Sequence, residues 1–357
     1  MMKIRVLVVD DSVVIRRLVS DLLSSDSSVE VVGVAANGRI AVEKISQVNP
    51  DVVTLDIDMP EMDGLQTLAV VRKRHPRLPV IILSALTERG AAMTLEALTS
   101  GASDYVTKPA AVARSNTPLA EIRDELLSKI KALCPRHGVH QPSPGCLLAA
   151  DHQQTPAQKA MRAPRRLEIV AIGVSTGGPN ALNELIPALP ADFPLPVVIA
   201  QHMPPFFTRV LAERLASRAA VDVREGIEGG ELRPGSVWIA PGDYHMEVAG
   251  GTDGFRLRLN QDPPENSCRP AVDVLFRSVA RTYGNNALGI VLTGMGQDGL
   301  RGCKEMAQSG AQILVQDEAS SVVWGMPGFV ARAGLADKIV PLGQLAGEVL
   351  HRIRLDK

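Results

Sequence analysis

The sequence predicts an α/β protein of two doubly wound parallel-sheet domains, the second with an added antiparallel hairpin. Three observations lead there. Short apolar strand patterns alternate with amphipathic helical ones in both halves, the pattern of βα units. A stretch rich in proline, glycine and glutamine between Cys134 and Arg166 interrupts that alternation once. The length, 357 residues, suits two domains of about 150 residues better than one.

In the first half, strands are predicted over 4–9, 29–35, 52–55, 80–83 and 104–106, with helical patterns between them and a last helix over 119–133. In the second, strands are predicted over 168–172, 197–200, 221–224, 236–239, 288–292 and 312–315. One segment departs from the alternation. Residues 244–249 and 255–259 alternate apolar and polar side chains around a Gly-Gly-Thr-Asp-Gly turn, so an antiparallel hairpin attached to the sheet is expected. The expected units are 1–125, a helix end and linker over 126–166, and 167–357.

Composition narrows the function classes. Apolar residues make up 45% and charged residues 22%, ordinary values for a chain able to bury two cores. The formal net charge is −1, and segments 1–133, 134–166 and 167–357 carry −1, +4 and −4. The excess of base lies in the linker and on no folded unit, which argues against nucleic acid as a partner. No apolar run approaches the ~18 residues of a membrane span. The start runs straight into Asp10 and Asp11 without a small-residue cleavage site, so neither membrane insertion nor a secretory leader is expected. Cys134, Cys146, Cys268 and Cys303 are too scattered for a disulfide framework, and a reducing cytoplasm is expected. Cys134, His137, His140 and Cys146 have zinc-compatible chemistry, but the prolines among them and the lack of a second knuckle favour coincidence.

Ligands of doubly wound sheets bind at the carboxyl ends of the strands. In the first half those ends carry Asp10 and Asp11, Asp56, Ser84, and Lys108 before Pro109. Converging carboxylates repel one another, and a divalent cation such as Mg²⁺, which takes carboxylates plus phosphate oxygens, relieves the repulsion. Lys108 and Ser84 supply a positive charge and a hydroxyl to a phosphoryl group, and the Asp56 carboxylate can receive it. This half, from residue 3 to about 125, resembles the receiver domain of bacterial two-component response regulators, with the run Asp56–Gly64 similar to that family's acceptor loop. The resemblance implies that Asp56 is phosphorylated. It implies metal ligation by the Asp11 and Asp56 side chains and the Asp58 carbonyl, with Asp10 close by. Ser84 and Tyr105 match the switch positions, and a cis bond before Pro109 is expected.

In the second half, a buried strand runs into Gly173-Val174-Ser175-Thr176-Gly177-Gly178-Pro179 and then a helix. A glycine-flanked serine between strand and helix suits a nucleophile elbow. It equally suits a phosphate cradle. The histidines separate the two readings. His351 sits on a solvated helical face and His245 within the hairpin, whereas His202 ends a parallel strand at the edge that carries Ser175. A carboxylate at the same edge is Asp298, in Thr293–Gly299; Asp273 is an alternative better suited to a helix first turn. A Ser175–His202–Asp298 triad follows. The runs Gly173–Pro179, Gln201–Pro204, Ala240–Gly242 and Thr293–Gly299 are together similar to the protein-glutamate methylesterase family of bacterial chemotaxis, and the similarity covers residues 167–353.

That resemblance implies a cytoplasmic, phosphorylation-activated serine esterase associated with chemoreceptor arrays. It would demethylate glutamate esters and deamidate certain glutamines on the cytoplasmic domain of methyl-accepting chemoreceptors. It implies a histidine kinase of the array as phosphodonor, a backbone oxyanion contact at Met295, and no cofactor for hydrolysis beyond Mg²⁺ in the receiver. A monomer is expected. Two other output classes are weighed: a DNA-binding module, which the acidic second half disfavours, and a non-catalytic ligand-sensing module in which Ser175 only cradles an anion.

Overall fold

Strands β1 (Ile4–Val9), β2 (Val29–Ala35), β3 (Val52–Asp56), β4 (Val80–Ser84) and β5 (Asp104–Thr107) form a parallel sheet in the order β2-β1-β3-β4-β5. The computed structural model describes residues 2–108, 119–134, 166–251 and 254–355. Pro109, His137, His140 and Cys146, and with them the expected cis bond and zinc coincidence, lie outside the described residues, as does most of the linker.

Alternate residues of β1 feed opposite faces of the sheet. Leu7 and Val9 join the cluster under helices α2 (Gly38–Val48), α3 (Gly64–Arg74) and α4 (Glu88–Thr99). Ile4, Val6 and Val8 join the cluster under α1 (Val13–Ser24) and α5 (Leu119–Leu133). Burial on both faces, complete along β3 and β4, is why the central strands read as largely apolar runs.

The second sheet holds β6 (Ile169–Val174), β7 (Val197–Gln201), β8 (Asp222–Glu225), β9 (Ser236–Ile239), β12 (Ala287–Val291), β13 (Gln312–Gln316) and β14 (Lys338–Val340). All pair in parallel, in the order β14-β13-β12-β6-β7-β9-β8. Its helices are α6 (Gly178–Leu185), α7 (Phe207–Ala216), α8 (Val272–Tyr283), α9 (Leu300–Gln308), α10 (Met326–Arg332) and α11 (Leu342–Leu355). The edge strand β14 is only three residues long and leaves no readable pattern in the sequence.

The hairpin forms as β10 (His245–Gly251) and β11 (Gly254–Asn260), but as a two-stranded sheet of its own and not as an extension of the large sheet. Its alternating apolar face explains this. Met246, Val248 and Leu257 pack into the cluster of Leu275 and Val279 from α8, so the hairpin buries that face on a helix. Ser278 of α8 accepts the Val248 N–H at 2.9 Å, replacing a ladder partner.

In both sheets the strand order reverses beside the first strand, between β1 and β3 and between β6 and β12. The loops leaving those strands part there, which opens a crevice. β12, β6 and β7 are adjacent, so the segments after them, which carry Asp298, Ser175 and His202, are brought to one edge by the sheet.

The turn at Gly242 locks one side of that edge. Its N–H donates to Thr208 Oγ1 at 3.0 Å, and a Cβ there would overlap the backbone of Pro204 and Pro205 in the loop leaving His202. Gly242→Ala is therefore expected to destabilise the second domain by about 1–3 kcal/mol, as overpacking against rigid backbone does. Thermal unfolding checks this.

Candidate active site and acidic pocket

Asp298 is 2% exposed and fully engaged. Its Oδ2 accepts the Val272 N–H at 2.6 Å and lies 2.7 Å from His202 Nε2. Its Oδ1 accepts the N–H groups of Asp273 and Gly299, each at 3.0 Å, and Asn266 Nδ2 at 2.8 Å. Val272 and Asp273 open α8, so the carboxylate sits on the positive end of a helix. Burial works to raise the Asp298 pKa, but His202 and these backbone donors hold it below the ordinary carboxylate value.

Nε2 of His202 is taken by Asp298, so Nδ1 is the nitrogen left to exchange a proton. Burial opposes the charged imidazolium, while the neighbouring Cys268 and Asp298 favour it and raise the His202 pKa above its ordinary value. Cys268 Sγ lies 3.5 Å from Nδ1.

Ser175 follows β6 and is half-buried. Its N–H donates to the Thr293 carbonyl at 3.0 Å. The Gln201 amide donates to the carbonyls of Ser175 at 3.0 Å and His202 at 3.2 Å, tying both loops together. Gly178 leaves room for it, since a Cβ there would strike the Gln201 side chain. Met295 follows Gly294, which packs against Ser175. Among the described residues, the Met295 N–H has no protein acceptor, and no hydrogen bond joins Ser175 Oγ to His202.

The other histidines and the rival carboxylate fall where the sequence reading puts them. His245 is buried and accepts from the Ala271 N–H, with its second nitrogen against the Pro263 carbonyl. His351 is exposed. Asp273 stands behind Asp298, accepting the Gly302 N–H at 2.7 Å and Asn266 Nδ2 at 3.0 Å. Burial and the neighbouring Asp298 charge push its pKa up. Asn266 was not legible in the sequence: it sits in a non-periodic loop and reaches Asp298 across 32 residues.

In the first domain, Asp10, Asp11 and Asp56 each bring a carboxylate oxygen within 4.8 Å of the others. Lys108 Nζ lies 2.7 Å from Asp56 Oδ2 and 3.2 Å from Asp10 Oδ2. Those are ion-pair distances, but both buried oxygens lack a donor in hydrogen-bond geometry. Three oxygen-bearing acids around one lysine, with two oxygens unsatisfied, fit a hard cation such as Mg²⁺. The Asp58 carboxylate turns outward to Arg89 at 3.7 Å, while its N–H reaches Asp56 Oδ1 at 3.3 Å. Ser84 Oγ accepts a hydrogen bond from Thr94 Oγ1 of α4 at 2.6 Å.

Tyr105 is 6% exposed and stacks on Phe207 of α7, with centroids 4.9 Å apart and planes at 10°. Around it, α4 packs on α6 and α7 of the second domain. Asn180 donates to the Leu98 carbonyl at 2.9 Å, Arg214 to Thr99 Oγ1 at 2.6 Å, and Arg209 pairs with Glu88. Both α6 and α7 start within a few residues of Ser175 and His202.

Comparison with known proteins finds two family models, each matching a separate part of the chain. Residues 6–117 match the family model of the response regulator receiver domain, and residues 170–349 match that of CheB methylesterase. A protein-glutamate methylesterase/protein-glutamine glutaminase of Trichodesmium erythraeum is 52% identical over 353 residues, 99% of this chain and 100% of its own. One from a Nocardioides species is 51% identical, over 98% of this chain and 95% of its own. Among solved structures, the Thermotoga maritima CheB methylesterase catalytic domain is 39% identical and covers 52% of this chain and 98% of that one, with a TM-score of 0.51.

Burial pushes Asp56 from its ordinary 3.8 to about 6, with Lys108 pulling the other way. Between about 4 and 6 the folded chain holds a proton that the unfolded chain has released, so stability at this site falls as pH rises through that window. Asp56→Asn is expected to flatten that fall in chelator and to remove the gain in melting temperature that added Mg²⁺ gives. Thermal unfolding across that pH window, with and without Mg²⁺, checks both.

Proposed function

The chain belongs to the protein-glutamate methylesterase/protein-glutamine glutaminase family, and from that premise we propose a serine esterase acting on glutamate γ-methyl esters of methyl-accepting chemoreceptors, and on the amide of certain receptor glutamines. The observation that carries the mechanism is the His202 Nε2–Asp298 Oδ2 contact of 2.7 Å at the edge that also presents Ser175. Ser175 Oγ attacks the ester carbonyl and passes its proton to His202 Nδ1. The new oxyanion meets the free Met295 N–H. As the tetrahedral intermediate collapses, the C–O bond to methoxide breaks and His202 returns the proton, so methanol leaves. Water, deprotonated by the same nitrogen, then cleaves the acyl-enzyme and restores a receptor carboxylate. Relative to chymotrypsin the two ring nitrogens exchange duties, Nε2 being held by the carboxylate and Nδ1 facing the reaction.

We read residues 1–125 as the receiver, 126–166 as helix end and linker, and 167–357 as the catalytic unit, the division that the two family-model matches support. Asp56 is the proposed phosphoryl acceptor. The side chains of Asp10, Asp11 and Asp56 and the carbonyl of Asp58 would hold Mg²⁺. When bound, Mg²⁺ neutralises charge on the incoming phosphoryl oxygens. A histidine kinase of the chemosensory array is the proposed donor. Among the described residues no helix is long and apolar enough to cross a membrane. The proposed place of work is the cytoplasmic side of receptor arrays, on the ground of family membership.

Regulation follows from the shared interface. Phosphorylation adds roughly −1.5 to −2 charges at Asp56. Drawing Ser84 toward the phosphoryl group breaks its bond to Thr94, frees α4, and loosens the Tyr105–Phe207 stack that holds the receiver against α7. A tenfold activation needs only ~1.4 kcal/mol of differential stability.

Methanol release from methylated receptor membranes tests the chemistry. Ser175→Ala is expected to abolish release. Asp298→Asn is expected to lower kcat by about 10⁴, because the carboxylate that fixes the imidazole tautomer is lost. It is expected to lower the melting temperature as well, because either orientation of the amide turns an N–H₂ group onto backbone N–H donors. Undiminished release by Ser175→Ala would remove the assignment.

A further inference from the structure

We propose that Cys268 is an oxidation site: paired with His202, its thiol reacts with a hydroperoxide, and the product closes the esterase by occupying the base. The inference rests on the reading of His202 as general base.

Cys268 differs from the other described cysteines. Cys134 and Cys303 are buried, and burial pushes the thiol of Cys134 up to about 12 and that of Cys303 upward as well. Cys268 is half-exposed, in the loop that edges the cleft. Its sulfur lies 3.5 Å from His202 Nδ1, the nitrogen that has to serve Ser175. A thiol beside an imidazole can pass its proton to the ring and become the nucleophilic thiolate. The ring is held ready by Asp298 from the other side.

The loop fixes this pairing. Asn266 and Ser267 both take left-handed conformations, with φ of 51° and 61°, although neither is glycine. Glu265 and Cys268 exchange backbone hydrogen bonds of 3.2 and 2.8 Å. Asn266 is pinned to Asp298 and Asp273, and Arg269 to Asp243. The residue that braces the Asp298 carboxylate therefore also anchors the loop that holds the sulfur on Nδ1.

The chemistry balances. The thiolate attacks one oxygen of the hydroperoxide, an S–O bond forms and the O–O bond breaks. The departing alkoxide, or hydroxide when the oxidant is hydrogen peroxide, takes the imidazolium proton and leaves as an alcohol or water. Sulfur is oxidised to sulfenic acid and the peroxide supplies the oxidising power. The new S–O–H group projects from Sγ onto Nδ1 and donates to it, so the lone pair that accepts the Ser175 proton is occupied. A thiol reductant reverses the step.

The test treats the full chain with hydrogen peroxide. Sulfenic acid is trapped with dimedone and read by peptide mass spectrometry, and methanol release is followed in a dimedone-free arm. Adduct is expected at Cys268 at least about tenfold faster than at Cys134 or Cys303, and His202→Asn should slow it. Esterase rate should fall in step with oxidation and return with dithiothreitol. Cys268→Ser and Cys268→Ala should each hold their own untreated rate through the same exposure. Labelling of Cys268 no faster than the buried cysteines overturns the proposal, and so does complete labelling with the rate intact. Mass spectrometry needs no turnover. His202-dependent labelling in a chain that releases no methanol would support the thiol–imidazole pair and count against the esterase reading instead.

Discussion

Everything at the second-domain edge depends on the Asp298 carboxylate being satisfied before His202 reaches it. A buried carboxylate is costly unless paired and hydrogen-bonded. Here three backbone N–H groups, the Asn266 amide and the imidazole all converge on it. The donors come from the start of α8, the loop after the hairpin and the adjoining Gly299, so the carboxylate ties two other segments, and through His202 a third, to the end of β12. Its orientation fixes the ring of His202, and the ring's orientation leaves Nδ1 on the side away from the carboxylate, against Cys268 Sγ. The sheet supplies the rest of the alignment, because β12, β6 and β7 are immediate neighbours.

The acidic pocket of the first domain is under the opposite condition. Its carboxylates are underserved, with two buried oxygens lacking a hydrogen-bond donor and one lysine between them. Such a pocket responds strongly to any change in charge. The response has a short path to the esterase: Ser84 touches Thr94 of α4, α4 packs on α6 and α7, and Tyr105 stacks on Phe207. A single apolar cluster includes Leu95 and Tyr105 from one domain and Phe207 and Leu211 from the other. The two domains are thus joined through core packing as well as surface polar contacts, which gives movement at α4 a direct mechanical consequence.

Much of this was legible in the sequence. Parallel strands buried on both faces leave near-continuous apolar runs, and β1 and β9 begin and end where the expected strands do. The strand-end acids and Ser175, His202 and Asp298 were legible because a doubly wound sheet fixes which loops share an edge. The hairpin was read correctly as antiparallel but misplaced, since local alternation carries no information about what the apolar face packs against. Asn266, Cys268, Thr94 and Phe207 were not singled out. Each acts through a contact set by tertiary folding: Asn266 and Cys268 from an irregular loop, Thr94 as an ordinary helical residue, and Phe207 across a domain boundary. β14 is too short to register.

The central claim is that one chain couples the state of Asp56 to hydrolysis at Ser175. The most direct test is methanol release from methylated chemoreceptor membranes by wild type and Asp56→Asn, each with and without acetyl phosphate and Mg²⁺. The account predicts a rate that rises with the phosphodonor in wild type and stays flat in Asp56→Asn. An equal rise in both proteins, or none in wild type while Asp56 is phosphorylated, would contradict it.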